Sequence, residues 1–253
     1  MIKLSVSIIT LNEEKNIERC LKSVQSIADE VLVLDSFSTD RTRNICEEYG
    51  ALFIQHEFHG HIQQKNYALS LLSHDYVLCL DADEALDQQA IKEILEIKKD
   101  WKGDGYSFPR LTYYVDQWVR HSGWYPDRKL RLVKKQSANW SGVNPHDILC
   151  LRQGSELKLH GHILHYSYNT ISEHIEQTNK FTTIAAQEAF ERGIRSSYFK
   201  IVTRPTLKFF KDFFLKGGIL DGKYGPVICF INALSSLLKY SKLKDLQEGR
   251  PIK

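Results

Sequence analysis

The chain has 253 residues, 42% hydrophobic and 26% charged, which fits one large soluble domain with a substantial core. A formal net charge of only +3 gives no reason to expect a nucleic-acid partner. The five cysteines are scattered and form no Cys-x-x-Cys pair, which argues against a zinc ribbon or a disulfide framework and favours a reducing cytoplasm.

The charge is unevenly distributed along the chain. Residues 195–253 contain 12 Lys or Arg and 4 Asp or Glu, so this segment carries +8 and residues 1–194 carry −5. A basic segment beside a mildly acidic body indicates an anionic surface as a partner. Near the N-terminus, Asn12-Glu13-Glu14 follows the first apolar run too early for a signal peptide or a spanning helix.

Strands and helices are predicted to alternate over the first hundred residues. Each predicted strand is a short run of β-branched or apolar residues, and most predicted helices follow a capping residue and have apolar side chains three or four apart. The alternation predicts a parallel, doubly wound sheet with right-handed crossovers. In chain order we expect a strand at 4–10, a helix at 12–24, a strand at 30–34, a helix from 39 or 40, a strand at 51–55, a helix at 63–72, a strand at 76–80 and a helix capped by Asp87.

The second half of the chain differs in composition. Residues 104–170 are rich in Tyr, Trp, Ser and Gly, with interrupted β-type runs, which predicts an antiparallel extension and long substrate loops. Helices are predicted from Asn169 to about Arg192 and over 198–245. The expected organisation is a domain at 1–194 followed by a basic, partly apolar helical region at 195–253.

The tetrapeptide Asp81-Ala82-Asp83-Glu84 carries the strongest chemical signal. It follows the apolar strand at 76–80, and ligands of open α/β sheets bind just beyond the carboxyl ends of such strands. Asp81 and Asp83 are two apart, so they point the same way from an extended chain. Paired carboxylates suit Mg²⁺ or Mn²⁺ completed by substrate phosphates, and the alternative is a solvated turn that caps the next helix.

Asp35 ends the second predicted strand at the same edge as Asp81. An unpaired carboxylate at the end of a buried strand is unfavourable, so we expect Asp35 to bind a ligand such as a nucleotide base or ribose. The alternative is that Asp35, Ser38 and Asp40 only build the turn and cap the next helix, and for Asp40 this alternative is favoured.

Several motifs in this order resemble glycosyltransferase family 2, whose members have the GT-A fold. Four of them are Ser7-Ile8-Ile9-Thr10-Leu11-Asn12-Glu13, Asp35-Ser36-Phe37-Ser38-Thr39-Asp40-Arg41-Thr42, Gln64-Lys65-Asn66-Tyr67-Ala68 and Asp81-Ala82-Asp83-Glu84. One branch of the family, the bacterial glucosyltransferases of lipopolysaccharide inner-core assembly, is similar over the rest of the chain, at Gly123-Trp124-Tyr125-Pro126-Asp127, Arg131-Leu132, Gly218-Ile219-Leu220-Asp221-Gly222 and Lys239-Tyr240-Ser241-Lys242-Leu243.

The resemblance implies the architecture of the chain. The expected class is α/β with a GT-A fold, a Rossmann-like, doubly wound, mostly parallel sheet with an antiparallel acceptor-side extension and C-terminal helices. The nucleotide-binding half would lie at about 1–100 and the acceptor half at about 101–194.

The resemblance also implies an inverting transfer of a hexose from a nucleotide sugar to a glycolipid such as lipopolysaccharide core. The expected donor is a UDP-hexose, and glucose is the hexose that the resemblance implies. Thr10, Asn12 and Glu13 would line the nucleotide pocket, and Asp35 would bind the base. Lys65 is left open between a phosphate contact and an ordinary exposed helix lysine.

A divalent metal, Mn²⁺ or Mg²⁺, is the cofactor that the resemblance implies. Asp83 would bind it, and Asp81 would hold the ribose or a metal-bound water. Enzymes of this fold often supply a late histidine to the metal, and His165 is the best match. The histidines at 160, 162 and 165 alternatively suggest zinc, which their loose spacing and the absence of nearby cysteines disfavour.

An inverting displacement needs a general base that takes the proton of the acceptor hydroxyl. The resemblance assigns this role to an Asp or Glu downstream of the metal motif, and the two candidates are Asp147 and Asp127. Asp147 lies in Val143-Asn144-Pro145-His146-Asp147, where relatives have Val-His-Glu, so this chain has extra residues and a shorter acid. We favour Asp147, because Asp127 is alternatively a turn residue after Pro126.

Aromatic residues of the less regular region are candidates for stacking on a sugar, or alternatively for the core. They are Tyr113, Tyr114, Trp118, Trp124, Tyr125 and Trp140. Of the branch motifs, Trp124, Tyr125 and Arg131 are the predicted acceptor contacts.

Two apolar runs in the basic segment, 209–216 and 227–238, indicate peripheral contact with anionic lipid at the inner face of the cytoplasmic membrane. The second run is too short and too polar to be a convincing span. The alternative is that both runs pack on the catalytic domain. The sequence leaves the oligomeric state open.

Two other functions compete with the transferase interpretation. A sugar-phosphate nucleotidylyltransferase normally has a Gly-rich loop after its first strand, whereas residues 10–14 contain no glycine. A catalytically degenerate GT-A protein could act as a membrane-associated assembly partner. The altered segment at 143–147 favours degeneracy, and the intact Asp81 and Asp83 argue against it.

Overall fold

The structure, a computed structural model, describes residues 1–143 and 146–252. The chain forms two compact units, which are described separately. Unit 1 comprises Met1–Leu111 and Asp127–Tyr166, and unit 2 comprises Thr112–Pro126 and the chain from Ser167 onward. The domain boundary expected near residue 194 stays a prediction.

Unit 1 is built on a sheet whose first half is parallel. Its first elements are β1 (Leu4–Thr10), α1 (Ile17–Val24), β2 (Glu30–Asp35), α2 (Thr42–Glu48), β3 (Leu52–Gln55), α3 (His61–Leu71) and β4 (Tyr76–Asp81). The strand order is β3-β2-β1-β4, and all three strand pairs are parallel. The buried run Leu4, Val6 and Ile8 lies in the central strand β1, where side chains are covered on both faces.

The elements that follow are β5 (Glu84–Leu86), α4 (Gln88–Lys99), β6 (Gly105–Tyr114), β7 (Gln117–Val119), β8 (Asp127–Lys134), a short helix at Lys135–Ser137, β9 (Ala138–Val143), β10 (His146–Leu151), β11 (Glu156–Lys158) and β12 (Ile163–Tyr168). The sheet continues in the order β4-β8-β6-β12-β5; the pairs β4–β8, β8–β6 and β12–β5 are antiparallel, and β11 is parallel to β6. A separate two-stranded antiparallel sheet is formed by β9 and β10. The predicted fold class, a GT-A-like α/β fold with an antiparallel extension, is confirmed.

The first helix begins later than predicted. α1 starts at Ile17, and Asn12 has a left-handed backbone with φ of 55° instead of capping the helix. Asn tolerates this conformation better than most residues because its short amide can bond locally. By contrast, Asp87 caps α4 as predicted, since its Oδ1 accepts a hydrogen bond of 2.7 Å from the amide of Ala90.

Unit 2 contains the end of β6, which pairs with β7, and three long helices. The predicted helix near 169–192 is present, with Thr170 and Glu173 forming a capping box, and the basic helices of 198–245 are interrupted by turns between 216 and 224. Gly225 permits a close approach, because a Cβ there would lie 1.8 Å from the carbonyl oxygen of Gly218. The helices are α5 (Ile171–Glu191), α6 (Tyr198–Phe210), which continues into a π-helical turn at Lys211–Leu215, and α7 (Gly225–Gln247).

None of the helices in the described part of the chain combines the length and the apolar character that a membrane span requires.

Candidate active site

The carboxyl ends of three parallel strands meet at one edge of unit 1. In the register of the sheet Thr10 pairs with Asp35, and Ile9 pairs with Asp81. Thr10 is buried, and its Oγ1 has no hydrogen-bond partner among the described residues. A buried hydroxyl without a partner is unfavourable, so this edge has an unused hydrogen-bonding group where a ligand would lie.

Asp35 is fully buried and is held within its own loop. Its Oδ2 accepts hydrogen bonds of 2.8 Å from the amide of Ser38 and 3.3 Å from Gln55 Nε2, and its Oδ1 accepts from the Ser38 hydroxyl. These contacts are those of the turn-building alternative, and the predicted base contact stays a prediction. Phe37, between these two residues, is exposed and has a φ of 64°, which is rare for an aromatic residue.

Asn12 and Glu13 join the loop after β1 to the loop after β2. Asn12 Oδ1 accepts a hydrogen bond of 2.8 Å from the amide of Thr39, and the amide of Glu13 donates one of 2.8 Å to Thr42 Oγ1. Burial raises the pKa of the Glu13 carboxyl, and repulsion from Asp83 raises it further. This crowding of carboxylates indicates a place where a cation would be stabilising.

Carboxylates and cations alternate in a chain of ion pairs that includes Asp81 at this edge. We call it the ion-pair chain. Every link is an N–O contact of 3.4 Å or less within unit 1, and the chain joins the two candidate bases at its ends. Its six contacts, in order, are Asp147–Lys65 (2.7 Å), Lys65–Asp81 (2.7 Å), Asp81–Arg131 (3.0 Å), Arg131–Glu84 (2.9 Å), Glu84–Arg110 (3.4 Å) and Arg110–Asp127 (2.7 Å).

Burial gives the ion-pair chain its electrostatic strength. Burial alone would raise the pKa of Asp81, but contact with Lys65 and Arg131 outweighs it and holds the pKa of this carboxyl below its ordinary value. Arg131 is only 4% exposed, and the neighbouring carboxylates of Glu84 and Asp81 overcome its burial and raise its pKa. Charges buried in this way are stable only while each keeps its partner.

Asp83 and His165 lie outside the ion-pair chain and beside each other. His165 Nε2 is 3.1 Å from Asp83 Oδ2. The antiparallel pairing of β12 with β5 sets Glu84 opposite His165, and the amide of Tyr166 donates a hydrogen bond of 2.9 Å to the carbonyl of Asp83. Strand pairing, rather than proximity in sequence, therefore brings these two side chains together.

The donor set around Asp83 fits a Mg²⁺ or Mn²⁺ ion. The described residues contain no group of three or more His, Cys, Asp or Glu side chains arranged to hold a metal. Asp83 and His165 therefore offer two ligands at most, and Asp81 is already neutralised by two cations. Mg²⁺ commonly binds through one or two carboxylates and takes its other ligands from phosphates and water, so the set is sufficient for that kind of site.

The two candidate bases are held differently. Asp147 lies on β10 opposite Gly142, and its side chain, 10% exposed, contacts Lys65 through Oδ2. Asp127 starts β8, and both of its oxygens contact cations, Oδ2 at Arg110 and Oδ1 at Lys129. Burial would raise the pKa of Asp127, but these two cations outweigh it and lower the pKa. Of the motif that carries Asp147, residues 144 and 145 lie outside the described residues.

The predicted acceptor contacts have other neighbours in this structure. Trp124, in unit 2, packs edge-on against Tyr114 and His174, and its Nε1 donates a hydrogen bond of 3.4 Å to Asn232. Tyr125, also in unit 2, is half-buried. Arg131 belongs to the ion-pair chain. An acceptor contact by any of the three stays a prediction.

The sequence did not predict the contacts of three residues at this site, of which Trp140 was expected only to stack on a sugar or to belong to the core. Glu84 is buried between Arg131 and Arg110, and Trp140 places its ring centroid 4.3 Å from the ammonium of Lys65. A signal was available for Arg110, since it is a charged residue inside the otherwise buried strand β6. Its partner could not be read from the sequence, because Glu84 lies on another strand.

Comparison with known proteins gives a consistent result. Residues 5–156 match glycosyl transferase family 2. The chain is 31% identical to an uncharacterized glycosyltransferase of Rickettsia typhi, over 97% of this chain and 88% of that protein. It is 26% identical to the lipopolysaccharide core biosynthesis glycosyltransferase LpsC of Rhizobium meliloti, over 92% of this chain and 91% of that protein.

Among solved structures, residues 1–349 of TarS from S. aureus in complex with UDP-GlcNAc are similar to this chain. The match has 15% identity, covers 100% of this chain and 93% of that chain, and has a TM-score of 0.47. A likeness of this degree supports no inference about function.

Proposed function

The chain belongs to glycosyltransferase family 2, and from this premise we propose that it transfers a hexose from a nucleotide sugar to a glycolipid with inversion at the anomeric carbon. We propose UDP-glucose as the donor and a lipopolysaccharide core as the acceptor. The similarity to LpsC supports the acceptor class. The single observation that carries the proposal is the strand-end edge where Thr10, Asp35 and Asp81 meet.

The nucleotide would bind at the ends of β1 and β2. The unpartnered Thr10 hydroxyl gives one hydrogen bond to the ligand, and the loop that Asn12 and Glu13 hold in place forms the wall of the pocket. Asp35 would receive the base after a local change in the contacts of Ser38. Binding energy from these fixed groups positions the anomeric carbon for attack.

Asp83 and His165 would hold a divalent metal at this edge. When bound, the metal offsets the charge that develops on the departing diphosphate. Asp81 would contact the ribose or a metal-bound water, and Arg131 and Lys65 keep its carboxylate ionised and fixed. We therefore assign Arg131 to positioning Asp81, since its buried guanidinium is already shared by two carboxylates.

Asp147 would act as the general base. It takes the proton of the acceptor hydroxyl while the acceptor oxygen bonds to the anomeric carbon. The bond from that carbon to the diphosphate oxygen breaks, and its electron pair leaves with the diphosphate. Asp127 is the weaker candidate, because Arg110 and Lys129 engage both of its oxygens and lower its pKa.

We propose that the enzyme contacts the membrane through α6 and the π-helical turn that follows. No residue of α6 is buried, and Phe199 and Leu215 are 76% and 82% exposed. The spacing of Phe199, Val202 and Phe210 places them on one helix face, while Lys200 and Arg204 lie off that face. An exposed apolar face with basic residues on the other faces is typical of helices that lie in the surface of an anionic bilayer.

The second apolar run has a different role. α7 buries Ile228, Cys229 and Ile231 near its start, and Ile228 packs in a cluster with Tyr114 and Val119 of unit 2. The proposed membrane contact therefore involves the first run and the helix before it. A location at the cytoplasmic face of the membrane follows from an intracellular nucleotide-sugar donor and a lipid-linked acceptor.

Radiolabelled UDP-glucose, incubated with Mn²⁺ and a truncated lipopolysaccharide, tests the proposed function. The proposal predicts label in the glycolipid with wild-type protein and none with Asp83→Asn. Asp100→Asn is the matched control, because that carboxylate is exposed at the end of α4. Folded wild-type protein that binds no nucleotide sugar would favour the degenerate assembly partner instead.

A further inference from the structure

Lys65 connects the donor side of the proposed site to its base. Its Nζ lies 2.7 Å from Asp81 Oδ1 and 2.7 Å from Asp147 Oδ2, and the side chain is only 8% exposed. Two hydrogen bonds between Asn66 and the backbone of Trp140, of 2.9 and 3.0 Å, fix α3 against β9. The neighbouring hydrogen bonds of Asn66 therefore fix the backbone at Lys65, and the two carboxylates fix its ammonium.

This contact opposes the proposed action of Asp147. Lys65 Nζ donates a hydrogen bond to Asp147 Oδ2 and so occupies a lone pair of the oxygen that would accept the proton of the acceptor hydroxyl. Asp147 also has no second cation in its described contacts, in contrast to Asp127 with Arg110 and Lys129. Removal of the Lys65 contact alone would leave Asp147 available as a base.

A donor diphosphate would compete for the same ammonium. Phosphates bound beyond the end of β4 would lie next to Asp81, which Lys65 contacts. The other cation at this position, Arg131, is buried and already shared by Asp81 and Glu84. Lys65 is thus the cation that can exchange one carboxylate partner for a phosphate oxygen without breaking up the rest of the ion-pair chain.

We propose that Lys65 is a positioning residue that holds Asp147 in the free enzyme and turns to the diphosphate when the donor binds. Asp147 is then free to accept a proton only when a donor is bound for the acceptor hydroxyl to attack. The inference rests on the proposed function, since it requires a nucleoside diphosphate ligand and Asp147 as the base. Coupling between two binding events is reciprocal. If the bound diphosphate weakens the Lys65–Asp147 contact by some factor, the Lys65–Asp147 contact must weaken diphosphate binding by the same factor.

Calorimetric titration with UDP and Mg²⁺ tests this coupling without any activity measurement. Asp147→Asn should bind UDP more tightly than wild-type protein, by about 5-fold or more, the lower range of typical coupling between sites. The double variant Lys65→Gln with Asp147→Asn should bind UDP at least about 10-fold more weakly than Asp147→Asn, because it lacks the phosphate contact. Uridine, which has no phosphate, should bind all variants equally, and Asp127→Asn is the control for loss of a carboxylate at the other end of the ion-pair chain.

Three outcomes would overturn the inference. The first is unchanged or weaker UDP binding by Asp147→Asn. The second is a double variant that binds UDP as tightly as Asp147→Asn, since Lys65 would then not contact the diphosphate. The third is a gain in UDP affinity from Asp147→Asn that is equally large in the Lys65→Gln protein. Such a gain would indicate simple repulsion between Asp147 and the diphosphate. If wild-type protein binds none of UDP, GDP, CDP and dTDP, the proposed function itself is wrong, and the inference falls with it.

Discussion

His165 Nε2 lies 3.1 Å from Asp83 Oδ2, although the two residues belong to distant parts of the sequence. The pairing of β12 with β5 brings them together beside the end of β4. Asp83 has no place in the ion-pair chain that neutralises Asp81. Of the two aspartates in the motif, Asp83 is therefore the one that we propose as the metal ligand.

Asp83→Asn is expected to remove the metal-dependent part of UDP binding, because an amide cannot replace a carboxylate as a charged ligand of Mg²⁺ or Mn²⁺. We expect UDP affinity in Mn²⁺ to fall at least about 10-fold, in the range seen when support for a metal site is lost. Calorimetry with and without EDTA measures this effect. Asp100→Asn should bind like wild-type protein, and undiminished binding by Asp83→Asn would refute the metal assignment.

Asp147→Asn is expected to retain donor binding and lose transfer. A general base typically contributes about 10²–10⁴-fold, so kcat should fall by at least about 100-fold. Transfer of labelled glucose to the glycolipid measures kcat, and the UDP titration confirms that the variant binds the donor nucleotide. Retained transfer would shift the base role to Asp127, and Asp127→Asn would then be the inactive variant.

Arg131→Met is expected to destabilise the fold strongly. The substitution leaves the carboxylates of Asp81 and Glu84 without the cation they share, and removal of one partner from a buried ion pair costs about 3–5 kcal/mol. Urea unfolding measures the loss. Arg43→Met removes an exposed pair with Glu47, so its effect should be much smaller. Equal effects of the two substitutions would contradict the structural role of the ion-pair chain.

Replacement of two exposed aromatics on α6 should weaken membrane binding. Phe199→Ser with Phe210→Ser removes apolar area from the proposed lipid-facing side without touching a buried residue. Co-sedimentation with vesicles that contain an anionic lipid measures binding, which should also fall as salt is raised. Phe58→Ser, which replaces an exposed aromatic of unit 1, is the control. Binding that depends equally on Phe58 would argue against α6 as the contact.

The stability of unit 2 should decrease between pH 7 and pH 5 because of His174. This residue is buried against Tyr114, and burial lowers the pKa of His174 from its ordinary value of 6.5 to about 4. The unfolded chain therefore binds a proton that the folded chain rejects, so stability is full above about pH 6.5 and is lost as the pH falls toward 4. His174→Asn should show a smaller loss of unfolding free energy, by about 2 kcal/mol at pH 5, in urea titrations. An identical pH dependence in both proteins would contradict this assignment.

The sequence predicts the strands of unit 1 well because their signals are local. The apolar runs at β1, β2 and β4 are short and bounded, and motif residues end each of them, so the edge where Thr10, Asp35 and Asp81 meet follows from strand order alone. The predicted start of α1 at Asn12 was wrong, because Asn12 instead accepts a hydrogen bond from the loop after β2, a contact that no local sequence pattern reveals.

The partners of the charged residues could not be predicted in the same way. Lys65 was left open between a phosphate contact and an exposed lysine, and the structure buries it between two carboxylates. Which acid faces which base depends on strands that are far apart in sequence, such as β4, β6 and β8. The same limit applies to the basic segment, where α6 and α7 have similar composition and only packing reveals that α7 is buried at Ile228 and Ile231.

The central claim is that the strand-end edge binds a nucleoside diphosphate with a divalent metal. A thermal-shift screen of the purified protein with UDP, GDP, CDP and dTDP, each with and without Mn²⁺, tests it most directly, because a ligand of the native state raises the melting temperature. We predict a rise with UDP that is larger when Mn²⁺ is present. No rise with any of the four nucleotides, from well-folded protein, would contradict the claim.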